Sequence, residues 1–373
     1  MYNTREETQM LAYAIKNYLR RYYNFIYSNM IGLITYRHSH FYNNFKINLP
    51  FFAIRNLKWI FNMILNRDMS LYLMFSLTYR CQAKCLHCSV SDYPVIQKEE
   101  LTTEEVKNVI NQAHRLGIST IEFFGGEPIL RSDILELIEY TSQKRMLTYL
   151  DTNGLFLTKK MIKQLKNAGL KLLFVSIDSA IPHVHDRLRG VKGCFKRAVN
   201  GLKNAIKIGQ PCVISTYITK ERVDNGELED VIKFGRELGV TAVRILFPMM
   251  SGRWLYNADV IPTKKQEIKI RKMIDLPFVY VEDLYKKFKE CNGLLNKTFF
   301  YISPYGDVQP CFCIPLSFGN VREEPLRMIV RRMYRHPIFE NDSFFSKCPT
   351  LNEIFRKKYI NTISPDVKLP FRV

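Results

Sequence analysis

Three cysteines fall within one short stretch, LTYRCQAKCLHCSVSDYP (residues 77–94), at Cys81, Cys85 and Cys88. A closed tetrahedral zinc site takes four ligands and a disulfide takes two cysteines. Three thiolates in one loop instead leave a metal centre with one coordination position open, and an open position is where chemistry is done. A little farther on stands GGEP, Gly125, Gly126, Glu127 and Pro128. Its two glycines permit close backbone approach to a bound group, with carbonyls and a carboxylate at hand to receive a cationic nitrogen. Alone, GGEP would read as a plain turn. Four further cysteines, Cys291, Cys311, Cys313 and Cys348, lie after residue 248. Cys194 and Cys212 open a helical and an apolar strand pattern respectively, where buried thiols are common, and read as structural.

These groups need a frame, and residues 71–247 supply one. Short apolar runs alternate with helical patterns: LYLMFSLT, LTTEEVKNVINQAHRLG, TIEFF, SDILELIEYTSQK, MLTYLD, LTKKMIKQLKNAG, KLLFVSID, CFKRAVNGLKNAIKIG, CVISTY, NGELEDVIKFGRELG and AVRIL. Strand and helix in repetition predict βα units closing a parallel sheet. Thr102 with Glu105 predicts a capping box, Ser132 and Thr158 are predicted N-caps, and Gly117, Gly169 and Gly239 follow helix ends. Six strands are fewer than a full barrel's eight. The expectation is therefore an α/β fold, a partial (βα)6 TIM-like barrel with its functional residues at the C-terminal strand ends. The cysteine triplet follows the first strand and GGEP the second. Residues 248–373 lose the rhythm and form a third region, and residues 1–70 a helical, basic and aromatic extension.

With 373 residues, 47% hydrophobic and 24% charged, the chain has ample material for a core and is not disordered over most of its length. Nine cysteines, odd in number and with no secretory leader ahead of them, predict reduced thiols or metal ligands and a cytoplasmic location. The net charge of +20 is spread along the chain without a nucleic-acid module, so no specific nucleic acid is expected. Solvated faces and an acidic electron donor such as flavodoxin or ferredoxin both suit it.

C-x3-C-x2-C after a first strand and GGEP after a second resemble the radical S-adenosylmethionine (SAM) superfamily. The resemblance implies that Cys81, Cys85 and Cys88 each bind one iron of a [4Fe–4S] cluster whose fourth iron is left for SAM. Thiolates are soft, strong donors that tolerate a reduced cluster. SAM's amino and carboxylate groups would chelate the open iron, and one electron into the sulfonium would release an adenosyl radical that abstracts hydrogen from substrate. Gly125 to Pro128 would then receive the SAM ammonium. His87 holds a position that in relatives is aromatic or apolar and lies against adenine; otherwise it is a loop histidine without a role. Asn153 in DTNG and Ser176 in SIDS match positions on the SAM ribose and carboxylate side. Arg189 and Arg187, in HDRLRG, are alternative clamps for the SAM carboxylate or surface charges. Zinc on the triplet would require a fourth ligand; His87, adjacent to Cys88, strains that geometry and leaves GGEP unexplained.

Cys291, then Gly306-Asp307-Val308, Pro310-Cys311, Gly319-Asn320 and Cys348, resemble the SPASM and twitch extensions of those enzymes, which hold auxiliary iron–sulfur clusters. Four cysteines suffice for one auxiliary cluster and not for two. Cys313, one residue beyond Cys311, is either the fourth ligand or a bystander that leaves an iron open. The resemblance implies a peptide or protein substrate first, a lipid or small metabolite second. A non-catalytic iron–sulfur redox sensor or electron carrier is the reading from a different class. In residues 1–70, Thr4 and Glu7 cap a pattern that sets Leu11, Ile15, Tyr18, Tyr22 and Ile26 on one face and Lys16, Arg20 and Arg21 on another. A second pattern, FFAIRNLKWIFNMIL, is too short and too charged to be read as a span. The two either cover the barrel or place the protein peripherally on an anionic membrane.

Overall fold

The computed structural model describes residues 72–91, 93, 99–275, 278–282, 291–295, 297–345, 347–364, 367 and 369–373, all within the second of the two units, 68–373, into which the chain divides. The patterns over residues 1–70 lie outside the described residues.

The six expected strands form, each apolar on the side that meets the helices: β1 (Tyr72–Thr78), β2 (Thr120–Gly125), β3 (Leu147–Thr152), β4 (Leu172–Ser176), β5 (Cys212–Tyr217) and β6 (Ala242–Leu246). Between them run α1 (Thr103–Arg115), α2 (Ile134–Gln143), α3 (Lys159–Asn167), α4 (Pro182–Arg189), α5 (Cys194–Ile208), α6 (Lys220–Asp224) and α7 (Glu227–Leu238). Leu73, Phe75, Ile121, Phe123, Leu173, Val175, Ile214 and Val243 bury against apolar stripes such as Val106, Val109, Ile110 and Ala113 of α1. Strand alternation turns the intervening residues to the opposite, lumenal face.

Thr102 caps α1 in a reciprocal box with Glu105, Thr158 caps α3, and Gly117, Gly169 and Gly239 follow their helices at positive φ. Ser132 does not cap α2. The N-cap is Asp133, whose carboxylate is drawn instead to Arg131 at 2.6 Å and to the Thr103 hydroxyl at 2.8 Å.

The sheet extends beyond residue 247. Its order is β7-β6-β5-β4-β3-β2-β1-β8-β9, with β7 (Val279–Val281) after α8 (Lys264–Met273), and β8 (Phe299–Ile302) and β9 (Val308–Gln309) after α9 (Asn292–Leu295). β7 pairs parallel with β6, β8 parallel with β1, and β9 antiparallel with β8. A strand order whose two ends do not meet makes the barrel partial and open, and the C-terminal region is continuous with it through β8. α10 (Leu326–Arg335) lays Leu326, Ile329, Val330 and Met333 on the same core.

Candidate functional site

The cysteine loop leaves β1 at its C-terminal end and is gripped from two sides. The Lys84 and Leu86 N–H groups donate to the carbonyls of Arg189 and Leu188 at 2.9 and 3.0 Å, docking the loop on the end of α4. On the other side the Arg253 N–H donates to the Cys88 carbonyl at 3.0 Å, and a Cβ on Gly252 would stand 2.0 Å from that same oxygen. Gly252, at φ +55, is therefore a position only glycine fits. Cys81 is exposed, Cys85 and Cys88 are half-buried, and all nine cysteines of the chain are thiols, not disulfides. N–H groups converge on two of the sulfurs: Ala83 N–H lies 3.4 Å and Asn153 Nδ2 3.8 Å from Cys81 Sγ, and Arg189 Nη1 lies 3.6 Å from Cys85 Sγ. Desolvation on the protein side of the otherwise exposed Cys81 pushes its thiol up to about 11, and burial raises Cys88 as well. Metal binding must therefore displace protons there.

The loop after β2 presses against the exit of β1. A Cβ on Gly125 would lie 2.3 Å from the Thr78 carbonyl oxygen, and one on Gly126 would lie 2.3 Å from that of Arg80. The Gly126 and Glu127 N–H groups donate to Thr78 and Arg80 at 2.7 and 2.9 Å. Glu127 is fully buried and accepts from the Ile129 N–H at 3.2 Å, the Thr152 hydroxyl at 2.8 Å and the Asn153 N–H at 2.8 Å. It thereby ties the second strand end to the third. Burial pushes its carboxyl up to about 7 against those hydrogen bonds. Pro128 opens a 3-10 turn, Pro128–Leu130, for which Glu127 is the cap.

Asn153 is buried beside Cys81, its Oδ1 accepting from Gln82 at 3.3 Å and from the Leu155 N–H at 3.0 Å. Ser176 ends β4, half-buried, in register with Ser215. Arg189 is buried and paired with Asp178, Nε to Oδ2 at 2.5 Å and Nη2 to Oδ1 at 2.9 Å, which leaves Nη1 toward Cys85. Burial works to raise the Asp178 carboxyl, and Arg189 overrides it, holding it at about 2. Arg187, on the same helix, is exposed. His87 stands 3.9 Å from the Tyr217 ring, with Trp254 at 5.8 Å, and its Nε2 is 3.7 Å from Asp178. Burial lowers it to about 3, so the ring is neutral at neutral pH and forms one wall with the two aromatics.

In the C-terminal region the glycine and asparagine motifs explain themselves structurally. Gly306, at φ +90, turns the β8–β9 hairpin, and Asn320 Nδ2 pins that turn by donating to the Tyr305 carbonyl at 2.9 Å and to Asp307 at 3.0 Å. Cys291, Cys311 and Cys348 are half-buried, whereas Cys313 is 3% exposed with its Sγ 3.2 Å from Met249 Sδ. A buried aromatic wall joins this region to the first cysteine loop. Tyr79 stacks on Tyr93 at 5.4 Å and shares a 2.7 Å hydroxyl contact with Tyr301, and the Tyr93 hydroxyl donates to the Phe312 carbonyl at 3.0 Å. Phe312, between Cys311 and Cys313, meets Phe124 of β2 at 5.2 Å.

Comparison with known proteins shows the family. The profile of the radical SAM superfamily matches residues 75–235, and that of the iron–sulfur cluster-binding SPASM domain matches residues 291–353. A PqqA peptide cyclase of Rhizobium meliloti is 32% identical over 273 residues, 69% of this chain and 72% of that protein. The chain belongs to the radical SAM superfamily. An AdoMet-dependent heme synthase of Methanosarcina barkeri is 29% identical over 282 residues, 68% of this chain and 80% of that protein. Streptococcus suis SuiB bound to its precursor peptide SuiA superposes with a TM-score of 0.60 at 16% identity, over 79% of this chain and 72% of that one, a likeness of fold. This radical SAM protein is an enzyme with a [4Fe–4S] cluster and SAM as cofactors and auxiliary iron–sulfur binding in its SPASM domain. The residues fit these groups: three thiols in a clamped loop, N–H donors aimed at two of their sulfurs, and two glycines that let the loop after β2 press directly on the backbone leaving β1.

Several residues of this radical SAM site escape a reading of the sequence. Asp178, inside the SIDS motif, carried a signal as an acid at a strand end. Arg222, which donates to the Tyr217 and Asp178 carbonyls and so laces β5 to β4, carried none. Gly252 and Trp254 lie after the βα rhythm has ceased.

Proposed function

We propose that this radical SAM enzyme modifies a peptide or protein by hydrogen abstraction. The observation that carries the reading is the 32% identity to a peptide cyclase of which the chain covers 72%. The fold shared with SuiB, whose structure includes a precursor peptide, supports it. When bound, the cluster and SAM supply the reductive C–S cleavage and the hydrogen-abstracting radical. Cys81, Cys85 and Cys88 hold the cluster. Gly125 and Gly126 admit the SAM ammonium to their carbonyls, and Glu127 fixes that loop to Asn153. Arg189, held by Asp178, directs its remaining N–H toward Cys85 and would offer it to the carboxylate of bound SAM, with Ser176 on the same rim. His87, Tyr217 and Trp254 present an aromatic wall suited to adenine and exclude water.

Cys291, Cys311 and Cys348 hold one auxiliary cluster, and the basic surface receives an acidic one-electron donor of the flavodoxin or ferredoxin kind. No helix among the described residues is long and apolar enough to cross a membrane. A peripheral contact through residues 1–70 is the accompanying proposal: flotation with anionic liposomes should be lost on removing those residues, and equal flotation of the truncated chain would exclude it.

The test of the main reading uses the anaerobically reconstituted protein, reduced with dithionite. Perdeuterated peptides encoded by neighbouring open reading frames should transfer deuterium into 5′-deoxyadenosine and change in mass. SAM cleavage that no such peptide stimulates, but that a tetrapyrrole or lipid does, would replace the peptide reading.

A further inference from the structure

The 3-10 turn Gly252–Trp254 meets the SAM site twice: the Arg253 N–H holds the Cys88 carbonyl, and the Trp254 ring stands 5.8 Å from His87 and 5.3 Å from Tyr217. The turn is closed on itself by the Trp254 N–H, which donates to the Ser251 carbonyl at 3.1 Å, and by the Leu255 N–H, which donates to that of Gly252 at 2.9 Å. Outward it borders an open cavity of about 420 Å³ lined by Gly252, Arg253, Leu255, Tyr256 and Asn257, so packing does not fix it from that side.

What fixes it comes from the C-terminal region. Arg356 is 8% exposed. Its Nη1 donates to the Met250 carbonyl at 3.5 Å and to the Thr350 carbonyl at 3.3 Å, and its Nη2 donates to the Leu255 carbonyl at 3.1 Å. Residues 250 and 255 flank the turn, so one guanidinium holds both of its ends. The Met250 N–H adds a second tie at the first end, donating to the Thr350 hydroxyl at 3.2 Å. Arg356 itself stands on a firm base: Asn352 caps its helical turn through the Ile354 and Phe355 N–H groups, and Phe355 is fully buried against Phe344 and Tyr359. The residue type is informative as well. Among the described residues the guanidinium meets main-chain carbonyls and no carboxylate, and burial lowers its pKa, because a cation without a counter-ion is costly to bury. A rigid fork of donors is what three carbonyls on two segments require; an ammonium is a single point and cannot span both ends.

We propose that Arg356 is a positioning residue for SAM, acting through the turn it brackets: by fixing Met250 and Leu255 it sets both the hold on the Cys88 carbonyl and the place of Trp254 in the aromatic wall. The inference rests on the adenine-facing role given above to that wall. It requires no contact between Arg356 and SAM. The SPASM region thus completes the SAM site from outside the six βα units, through a residue more than 250 positions beyond the cysteine triplet in sequence. Thr350 shares the task, since its hydroxyl accepts from Met250 and lies 3.2 Å from Cys348 Sγ, which places the turn and one thiol of the auxiliary site on a common support.

Equilibrium dialysis of SAM against the reconstituted, unreduced holoenzyme tests it, with iron content measured alongside. Arg356→Met should weaken SAM binding at least tenfold with iron unchanged, and Arg356→Lys, able to serve one end of the turn, should weaken it less. Trp254→Leu should also weaken binding, and the double variant should lose at least threefold less than the product of the two single losses, because both act through one turn. Thr350→Val keeps the shape of the side chain, removes the hydroxyl that accepts from Met250, and should weaken binding about threefold; it decides alone if Arg356→Met does not fold or loses the auxiliary iron. SAM binding within twofold of wild type in Arg356→Met, or in Thr350→Val where that variant decides, overturns the proposal. So does a double variant that loses the full product, which would place the action of Arg356 somewhere other than the turn. Wild-type affinity in Trp254→Leu removes Trp254 from the wall and with it the route through which Arg356 acts. Indifference to Arg356→Met beside a loss in Trp254→Leu removes Arg356 and leaves the wall standing.

Discussion

Glu127 is a carboxyl group without exposed surface that accepts three hydrogen bonds and still prefers its proton up to about pH 7. Between its ordinary value of 4.5 and about 7 the folded cofactor-free protein binds a proton that the unfolded chain has lost, so stability falls as pH rises through that window. The limit of the effect is about 3 kcal/mol. Denaturant unfolding should show that slope in the difference between wild type and Glu127→Gln, since buried His87 contributes an opposing slope to both, and a difference that is flat from pH 5 to 7 would contradict the assignment. Gly126→Ala pushes a methyl group onto the Arg80 carbonyl, so SAM affinity should fall at least tenfold in equilibrium binding while the auxiliary iron is retained. The C-terminal thiols divide in the same residue-by-residue way. With Cys313 turned to Met249, Cys313→Ser should keep about eight irons per chain whereas Cys311→Ser should fall toward about four.

At the level of elements, the segment at residues 252–254 serves as the second jaw on the cysteine loop. Gly252→Ala should cost the SAM cluster at least half its iron after reconstitution and leave the auxiliary cluster's signal in electron paramagnetic resonance unchanged, because the methyl group strikes the Cys88 carbonyl and the Ser89 backbone of the first cysteine loop. What the sequence disclosed about such elements followed their length and autonomy. The βα repeats announce themselves because most of their helices carry a full apolar stripe and some carry their own cap, as Thr102 and Thr158 show. β7 and β8 are short and owe their existence to remote partners on β6 and β1, which no local pattern encodes. The same division runs through the site. Cys81, Cys85, Cys88 and GGEP declare themselves by type and spacing, but that Arg189 would spend two of its nitrogens on Asp178, or that Asp133 would displace Ser132 as a cap, depends on which charge stands nearest in space.

For the whole molecule, the decisive contact is the parallel pairing of β1 with β8, which makes the C-terminal region part of the same sheet as the barrel. A chain ending at residue 290 would present β1 with a bare edge of apolar strand beside the cysteine loop, and it would lose the Tyr301 and Phe312 sides of the aromatic wall. Light scattering should find that truncated form aggregated where the full chain is monodisperse; a well-behaved truncated barrel would show that the pairing is dispensable. The same pairing orders events in time. The first strand leaves the ribosome long before its neighbour is translated, a delay of roughly 10 to 40 seconds at ordinary rates of synthesis. Throughout that interval the nascent chain displays an open hydrogen-bonding ladder and three unprotected thiols together. Iron delivered during translation would meet a half-built cradle, so maturation of the first cluster belongs after chain release, and holding chaperones belong before it.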